Sequence, residues 1–529
     1  HTLFVNFSVS LFTCLKFMIF MKPKFFFWLD TNFMMYVLSY HLQKKIDGDF
    51  YAIYDLPNKT GTFFQNQTLV NFKKTWYYND QINVKKNEID IEYLSNFEKK
   101  YGIGLWNLAV NERLFHRFNT FYKFSTEEIW LILEQECKFF EGVLDEIKPD
   151  FFITREPFLH QDELLYQLCR AKGIKVLVSS ATQSFNKCMI SERPTEFDDS
   201  SISDSEISMK FTSFTELVKN IGRQSNVSSL AYNKTIKSYN EKWRASNRKR
   251  ANAAIQFLFN SNNKNAKTHF AYFGRTKSGV LFNAIKQVLQ KQQRTSFLNK
   301  HLPTSVKHNE KFIYFPLGVD EEHNLLIGAP FYTNQIETIR HVAKSIPINY
   351  KLYVKEHPSS ATRNWKSVSD YKEIMNIPNV RLLHHSVPQS ELFQNCSLVI
   401  SAMGSSCLEA VFYGKPSVIF GKLYYSILPS VHHVETLSKL PEIIHSSLQE
   451  KVNLQDVERF LAIFKKNSFD FDIQAYNLKE ANAFFYNGHL VDVEITESQM
   501  KSFIEENAQM FSVLVDENIK KLKKHLLSK

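Results

Sequence analysis

Between Ser397 and Gly421 the chain reads SLVISAMGSSCLEAVFYGKPSVIFG, and this stretch restricts the fold more than any other. Ser397 to Ser401 is a short run of the kind that forms a buried strand, and Met403 to Ser406 is a tight turn. Cys407 to Tyr413 predicts a two-turn helix closed by Gly414 at its C′ position, and Pro416 to Phe420 a second, parallel strand. Strand, turn, helix and parallel strand put bare N–H groups and the positive end of a helix dipole at Ser405 and Ser406. That is where α/β folds bind phosphate. Glu409, one turn further in, is spaced to accept hydrogen bonds from ribose hydroxyls. The expectation is a nucleotide-using enzyme. A lone Gly-Ser-Ser turn also fits a plainer reading, a strand–helix unit whose glycine merely packs.

The residues upstream strengthen the first reading. Lys311 to Pro316, Tyr350 to Lys355 and Asn379 to Leu383 read as strands, and Asn334 to Ile346, Ser369 to Asn376 and Gln389 to Asn395 as helices between them. That alternation has the spacing of a parallel, doubly wound sheet, whose ligands bind beyond the carboxyl ends of its strands. His357, in the run Lys355, Glu356, His357, Pro358, falls at such an end, as does Ser405.

A second unit of this kind is clearest from Asp150 to Val178. Phe151 to Thr154 predicts a strand, Gln161 to Ala171 an amphipathic helix, Gly173 its C′ residue, and Ile174 to Val178 a parallel return strand. Arg155, Glu156, His160 and Asp162 crowd the strand's carboxyl end. Asp162 also suits a helix N-terminal acid and Glu156, before Pro157, a solvated turn. Further upstream, Phe25 to Leu29 and Phe50 to Tyr54 read as strands flanking a helix from Asn32 to Ile46. Residues 3 to 20 are an apolar run broken by Asn6 and Lys16, ahead of Met21; we read 1–20 as a non-native extension, with a weak anchor as the alternative.

Five segments in order, FPLGVDEEH (315–323), LIGAPFYTNQ (326–335), YVKEHP (353–358), IPNVRLL (377–383) and GSSCLEAVFYGKP (404–416), resemble the capsule polysaccharide biosynthesis family, which includes the bacterial β-Kdo transferases. The pairing of a His-Pro with a Ser-Ser motif is also similar to CMP-sialic acid transferases. The resemblance is good over roughly 300–445 and looser over 145–185. It implies an α/β, GT-B-like glycosyltransferase: two facing Rossmann-like domains with parallel sheets, plus C-terminal helices. The expected division is 21–300 for an acceptor-side domain with a variable insertion at about 190–265, 301–445 for the nucleotide-sugar domain, and 446–529 for crossover helices and a basic tail.

On this reading the donor phosphate lies against Gly404, Ser405 and Ser406, with Glu409 on the ribose and Lys355, Pro358, Ser386 and Tyr424 as further nucleotide-binding candidates. His357, helped by Lys355, neutralises charge on the leaving phosphate, and Glu156, Asp162 or His160 deprotonates the acceptor. No cofactor and no metal are expected, the nucleotide-sugar being a co-substrate. CMP-Kdo or a related CMP-ulosonate is the expected donor and a glycan or glycolipid the acceptor. A CDP-glycerol-type polymer phosphotransferase and a non-catalytic assembly or export protein are the alternatives.

Composition agrees with a globular protein: 44% of residues are hydrophobic and 22% charged. The six cysteines show no paired spacing, so neither a disulfide framework nor a zinc site is expected and a cytoplasmic setting is. A net charge of +11 suits an anionic partner. No zinc knuckle, RNA-recognition signature or helix-turn-helix accompanies it, which favours the anionic inner-membrane surface over nucleic acid. Asp470 and Asp472 match an Asp-X-Asp metal motif but lie past the Rossmann strands, and the neighbours His384/His385 and His432/His433 would point to opposite strand faces. Residues 191–208, acidic and serine-rich, predict a mobile loop, and Asn233 to Phe259 a long basic helix. From Lys501 to Leu527 an apolar stripe runs beside Lys520, Lys521, Lys523 and Lys524, suited to docking on the first domain or to contact with a bilayer.

Overall fold

Apolar runs without alternation predict strands covered on both faces, and such strands build two sheets here. The computed structural model describes residues 22–84, 88–182, 185–224, 247–260, 264–307, 309–357 and 366–528. The apolar run at 3–20, Pro358 and the start of the basic helix expected from Asn233 lie outside them. The first sheet contains β1 (Lys24–Leu29), β2 (Asp49–Tyr54), β3 (Lys74–Tyr77), β4 (Phe151–Arg155), β5 (Lys175–Thr182) and β6 (Lys187–Ser191). The second contains β7 (Phe312–Pro316), β8 (Lys351–Lys355), β9 (Val380–Leu383), β10 (Leu398–Ser401), β11 (Ser417–Ile419) and β12 (Val431–His433). A short β13 (Ser468–Phe469) returns to the first sheet.

In the first sheet β3-β2-β1-β4-β5 run parallel; β6 pairs antiparallel with β5, and β13 antiparallel with β6 at the edge. In the second, β9-β8-β7-β10-β11-β12 are all parallel. Each sheet thus has the doubly wound 3-2-1-4-5 order, with a switch point between its first and fourth strands. This is the α/β, two-sheet Rossmann-like architecture expected from the sequence.

Strand β1 shows how the faces are filled. Phe25, Phe27 and Leu29 join one buried cluster with Met34 and Leu38, while Phe26 and Trp28 join another with Phe140 and Leu164. Left-handed backbone closes the crossover helices at Gly173 (φ 74°) and Gly414 (φ 71°), where a side chain would be strained.

The chain ends by crossing back. Helix Leu454–Asn467 packs in a cluster of the second sheet through Val457, Phe460 and Phe464. After β13, helix Ala508–Ser528 buries Phe511, Leu514, Val515 and Leu522 in the cluster that holds Met34 and Phe25. The apolar stripe of the tail therefore docks on the first sheet's domain. Among the described residues no helix is long and apolar enough to cross a membrane.

One loop expectation changes. Residues 191–208 are pinned rather than loose: Asn467 donates to Asp199 O (2.7 Å), Lys466 to Ser201 O (2.9 Å), and Lys521 pairs with Asp198 (2.6 Å). The acidic residues face lysines of the C-terminal helices, which the local composition did not reveal. The described part of the basic helix is Asn247–Ile255, continued by a π turn to Asn260.

Candidate functional site

At the second switch point β10 ends at Ser401 and the chain turns through Met403 and Gly404 into helix Ser406–Phe412. The first N–H groups of any helix lack intrahelical partners. Tyr425 OH donates to Gly404 O, fixing the turn from one side. Gln389 Nε2 donates to Ser406 Oγ at 3.0 Å from another. The Ser405 hydroxyl turns inward and donates to Glu409 Oε1 at 2.8 Å; Glu409 itself is only 1% exposed.

The turn is held from behind by close backbone packing. A Cβ on Gly328 would stand 2.2 Å from Met403 Sδ, and one on Gly421 would stand 2.7 Å from Gly328 O. A Cβ on Gly404 would meet only Ser401 Oγ, at 3.7 Å. The crest of the turn is therefore open and its base is full.

Lys355 ends β8 but does not reach the surface. It is buried, and its Nζ donates to Val387 O at 3.0 Å. Burial lowers its pKa to about 8, with the Glu409 carboxylate pulling the other way. It is a support beneath the turn, not a phosphate ligand at its crest. His357, two residues on, is exposed beyond the strand end. Glu356 between them points inward, where its carboxylate accepts from Tyr371 OH (2.8 Å) and lies 3.9 Å from Lys366. Lys366 also pairs with buried Asp320, which Gln335 ties to the Gly318 turn beyond β7. Ser386 shares a hydrogen bond with His384 Nδ1 at 2.6 Å. His385 is held neutral, its pKa lowered to about 4 by burial and by His384 and Lys355.

Tyr424 is a core residue: its ring packs among Phe197, Phe460 and Phe464. The tyrosine that touches the turn is its neighbour, Tyr425.

The carboxyl ends of the two sheets meet. Glu156, after β4, has Oε1 3.4 Å from Nε2 of His323, in the loop after β7, and the Phe158 ring lies 5.0 Å from that imidazole. Arg117 donates to Thr333 O (2.8 Å) and Asn111 to Pro330 O (3.2 Å) across the same seam. A cavity of about 40 Å³ opens there between Asn107, Glu163 and Pro330. Glu163 is buried, which raises its pKa to about 8.

The other two first-domain candidates are enclosed. His160 Nδ1 and Nε2 lie 3.0 Å from Glu112 and 3.0 Å from Glu136. Burial alone would lower its pKa, but the two carboxylates raise it to about 10. A protonated imidazole with both nitrogens engaged is no proton acceptor. Asp162 accepts from Phe158 N (2.8 Å) and Leu159 N (2.7 Å), the helix-start role weighed for it. Of the three, Glu156 is the one whose carboxylate reaches His323 across the seam, while buried His160 lines the cavity beside it. Asp470 pairs with Lys187 at the surface, and Asp472 caps helix Ile473–Ala483. Among the described residues no three His, Cys, Asp or Glu side chains come together as metal ligands.

Sequence reasoning did not assign His323, Gln389 or Tyr425. His323 closes the segment FPLGVDEEH and Gln389 opens the helix after β9, so both had a positional signal. Glu112 and Glu136 had none, since both depend on where His160 is carried.

Residues 231–429 match the family model described as capsule polysaccharide biosynthesis protein. The match takes in most of the second sheet and begins inside the stretch read as a variable insertion. No curated protein matches the chain. Among solved structures, the UDP-GlcNAc 2-epimerase of Methanocaldococcus jannaschii is 12% identical, over 84% of this chain and 99% of its own, with a TM-score of 0.23. KpsC, a beta Kdo 2,7 transferase of Thermosulfurimonas dismutans, is 10% identical over 62% of this chain and 79% of its own, at 0.27. The trehalose 6-phosphate synthase of Burkholderia multivorans is 10% identical over 92% and 99%, at 0.27. TM-scores of this size carry no argument about function.

Proposed function

We propose, from the match of residues 231–429 to the capsule polysaccharide biosynthesis family model, that the chain is a glycosyltransferase of surface polysaccharide using a nucleotide-activated sugar. The observation that carries the reading is the seam: an open Gly404–Ser406 turn at one switch point, and Glu156 against His323 where the two sheets' carboxyl ends meet.

The donor phosphate takes the N–H groups of Ser405 and Ser406, and His357 approaches from the end of β8. Positive charge there counts most when the phosphate leaves, because negative charge on it grows in the transition state. Lys355 and Glu409 act from below, holding the turn. For Glu409 to hold ribose hydroxyls, Ser405 must release it, as one hydrogen bond exchanged for another. Glu156 takes the acceptor proton, with His323 orienting its carboxylate. His160 and Asp162 hold the first domain's crest rather than react.

CMP-Kdo or a related CMP-ulosonate is the donor we favour, on the pairing of His-Pro with Ser-Ser. Mass analysis of products from CMP-Kdo, CDP-glycerol and UDP-sugars tests this. A sugar adduct from CMP-Kdo supports it; a phosphoglycerol adduct, or no product from any donor, overturns it. Activity should survive EDTA, since the positive charge comes from the helix start and His357. Loss on chelation, restored by magnesium or manganese, would overturn that part. His357→Ala should lower kcat by about a hundredfold, and normal turnover would remove His357 from the reacting centre.

A further inference from the structure

Between Lys242 and Asn309 the chain has fourteen lysines and arginines and no aspartate or glutamate. The remaining 461 residues carry 51 Lys+Arg against 54 Asp+Glu, so the net charge of +11 belongs to this one segment. Helix Lys277–His301 lies within it, and of its 25 residues only Arg294 and Leu298 are buried. Leu281, Phe282, Ile285, Val288 and Leu289 recur along one side at helical spacing, 42% to 71% exposed. The preceding helical segment adds Ile255 and Phe259, 51% and 79% exposed. The two segments meet where Lys277 Nζ donates to Leu258 O at 2.6 Å. Arg248, Arg250, Lys264, Lys267 and Lys286 of the same stretch of chain are exposed.

Scattered exposed apolar residues are ordinary, but a stripe of them on a projecting helix marks an interaction surface. Nucleic acid would account for the charge and leave the stripe wet. A protein partner would account for the stripe and not for 68 residues without one acid. A bilayer with anionic headgroups uses both: the stripe enters the acyl boundary, and the cations meet lipid phosphate. We propose that this segment docks the protein on a membrane surface rich in anionic phospholipid. The C-terminal lysines do not take that role, because the stripe beside them is buried in the first domain. The proposal does not depend on the sugar-transfer reading.

The test is sedimentation of the full chain with vesicles of phosphatidylcholine alone or mixed with phosphatidylglycerol, at low and high salt. The chain should bind the mixed vesicles, and salt should weaken binding. The exposed triple change Phe282→Ser, Ile285→Ser, Leu289→Ser should reduce partitioning by at least about tenfold with an unaltered unfolding curve. Arg248→Glu, Arg250→Glu, Lys286→Glu should reduce it by about a hundredfold, at roughly fivefold per cation lost near an anionic surface. Lys523→Glu, Lys524→Glu should leave it unchanged. The proposal fails if the chain ignores mixed vesicles, if the triple change binds as well as wild type, if the tail variant loses as much, or if the stripe change only dissolves a dimer.

Discussion

The two sheets have one strand order and two kinds of switch point. In the first, Arg155 at the end of β4 pairs with Asp30 just past β1, Asp162 holds the N–H groups of Phe158 and Leu159, and His160 is enclosed by Glu112 and Glu136. Each of these charges is committed to another side chain or to backbone, and Glu156 alone of that strand end turns to the other sheet. In the second, β10 gives way to Gly404, Ser405 and Ser406, with room over the turn and His357 exposed past the end of β8, two strands away. Strand order supplies a crevice in both sheets. Whether a ligand enters depends on side-chain size and on prior commitments, and here the first sheet spends its polar groups on holding its own crest.

The largest effect expected from this difference is on stability. His160→Gln leaves Glu112 and Glu136 buried without their cation, which costs about 3–5 kcal/mol. The sign with pH follows from the folded value. The imidazole pKa is raised from 6.5 to about 10, so its contribution is fully present below pH 6.5 and is lost as pH rises through 10. Urea unfolding of wild type and His160→Gln should therefore give curves far apart at pH 6 that converge toward pH 10. A constant gap would show that the effect is packing alone, and the contrast between committed and open crests would lose its electrostatic part.

A smaller effect separates the base of the second site from its crest. Gly328→Ala drives a methyl to 2.2 Å from Met403 Sδ and 2.6 Å from Asn324 O. Overpacking of that kind costs about 1–3 kcal/mol, and it displaces the turn that Met403 begins. Gly404→Ala adds the same methyl where its nearest neighbour is 3.7 Å away, so thermal unfolding should be nearly unchanged. Donor affinity, read by calorimetric titration with CMP, should fall in both variants. If Gly404→Ala binds CMP normally, the open space over the turn is not where the nucleotide lies.

Much of this arrangement was legible in the sequence, and the reason differs by feature. Helix Gln389–Asn395 has the bounds read from the sequence, and β10, helix Ser406–Phe412 and β11 lie within a residue or so of theirs, because small turn residues and Gly414 punctuate continuous apolar runs. The docking of the tail followed from its stripe, since apolar faces of that width usually serve a core. What stayed hidden depends on which distant residues meet. Lys355 reads as a surface cation in the motif and is buried, because its strand ends one residue pair before the chain emerges at His357. Tyr424 and Tyr425 are indistinguishable as neighbours, and only the fold turns one into the core and the other onto Gly404. The loop at 191–208 has the composition of a mobile segment, and the lysines that hold it lie more than 250 residues away in sequence.

The smallest effect is the most informative about the open crest. Ser406→Ala removes a hydroxyl that accepts from Gln389 Nε2 at 3.0 Å, and one such bond is worth about 1 kcal/mol. If the hydroxyl serves only to anchor Gln389, then Gln389→Ala should weaken CMP binding by as much as Ser406→Ala does. If it also meets the donor phosphate, Ser406→Ala should raise the Kd by about fivefold and Gln389→Ala by much less. Stability separates the two roles further: both variants lose the same internal hydrogen bond, so their unfolding midpoints should move together while their affinities diverge. Equal affinities with equal midpoints would make Ser406 a brace like Asp162 on the first sheet, and the phosphate would then rest on backbone N–H groups alone.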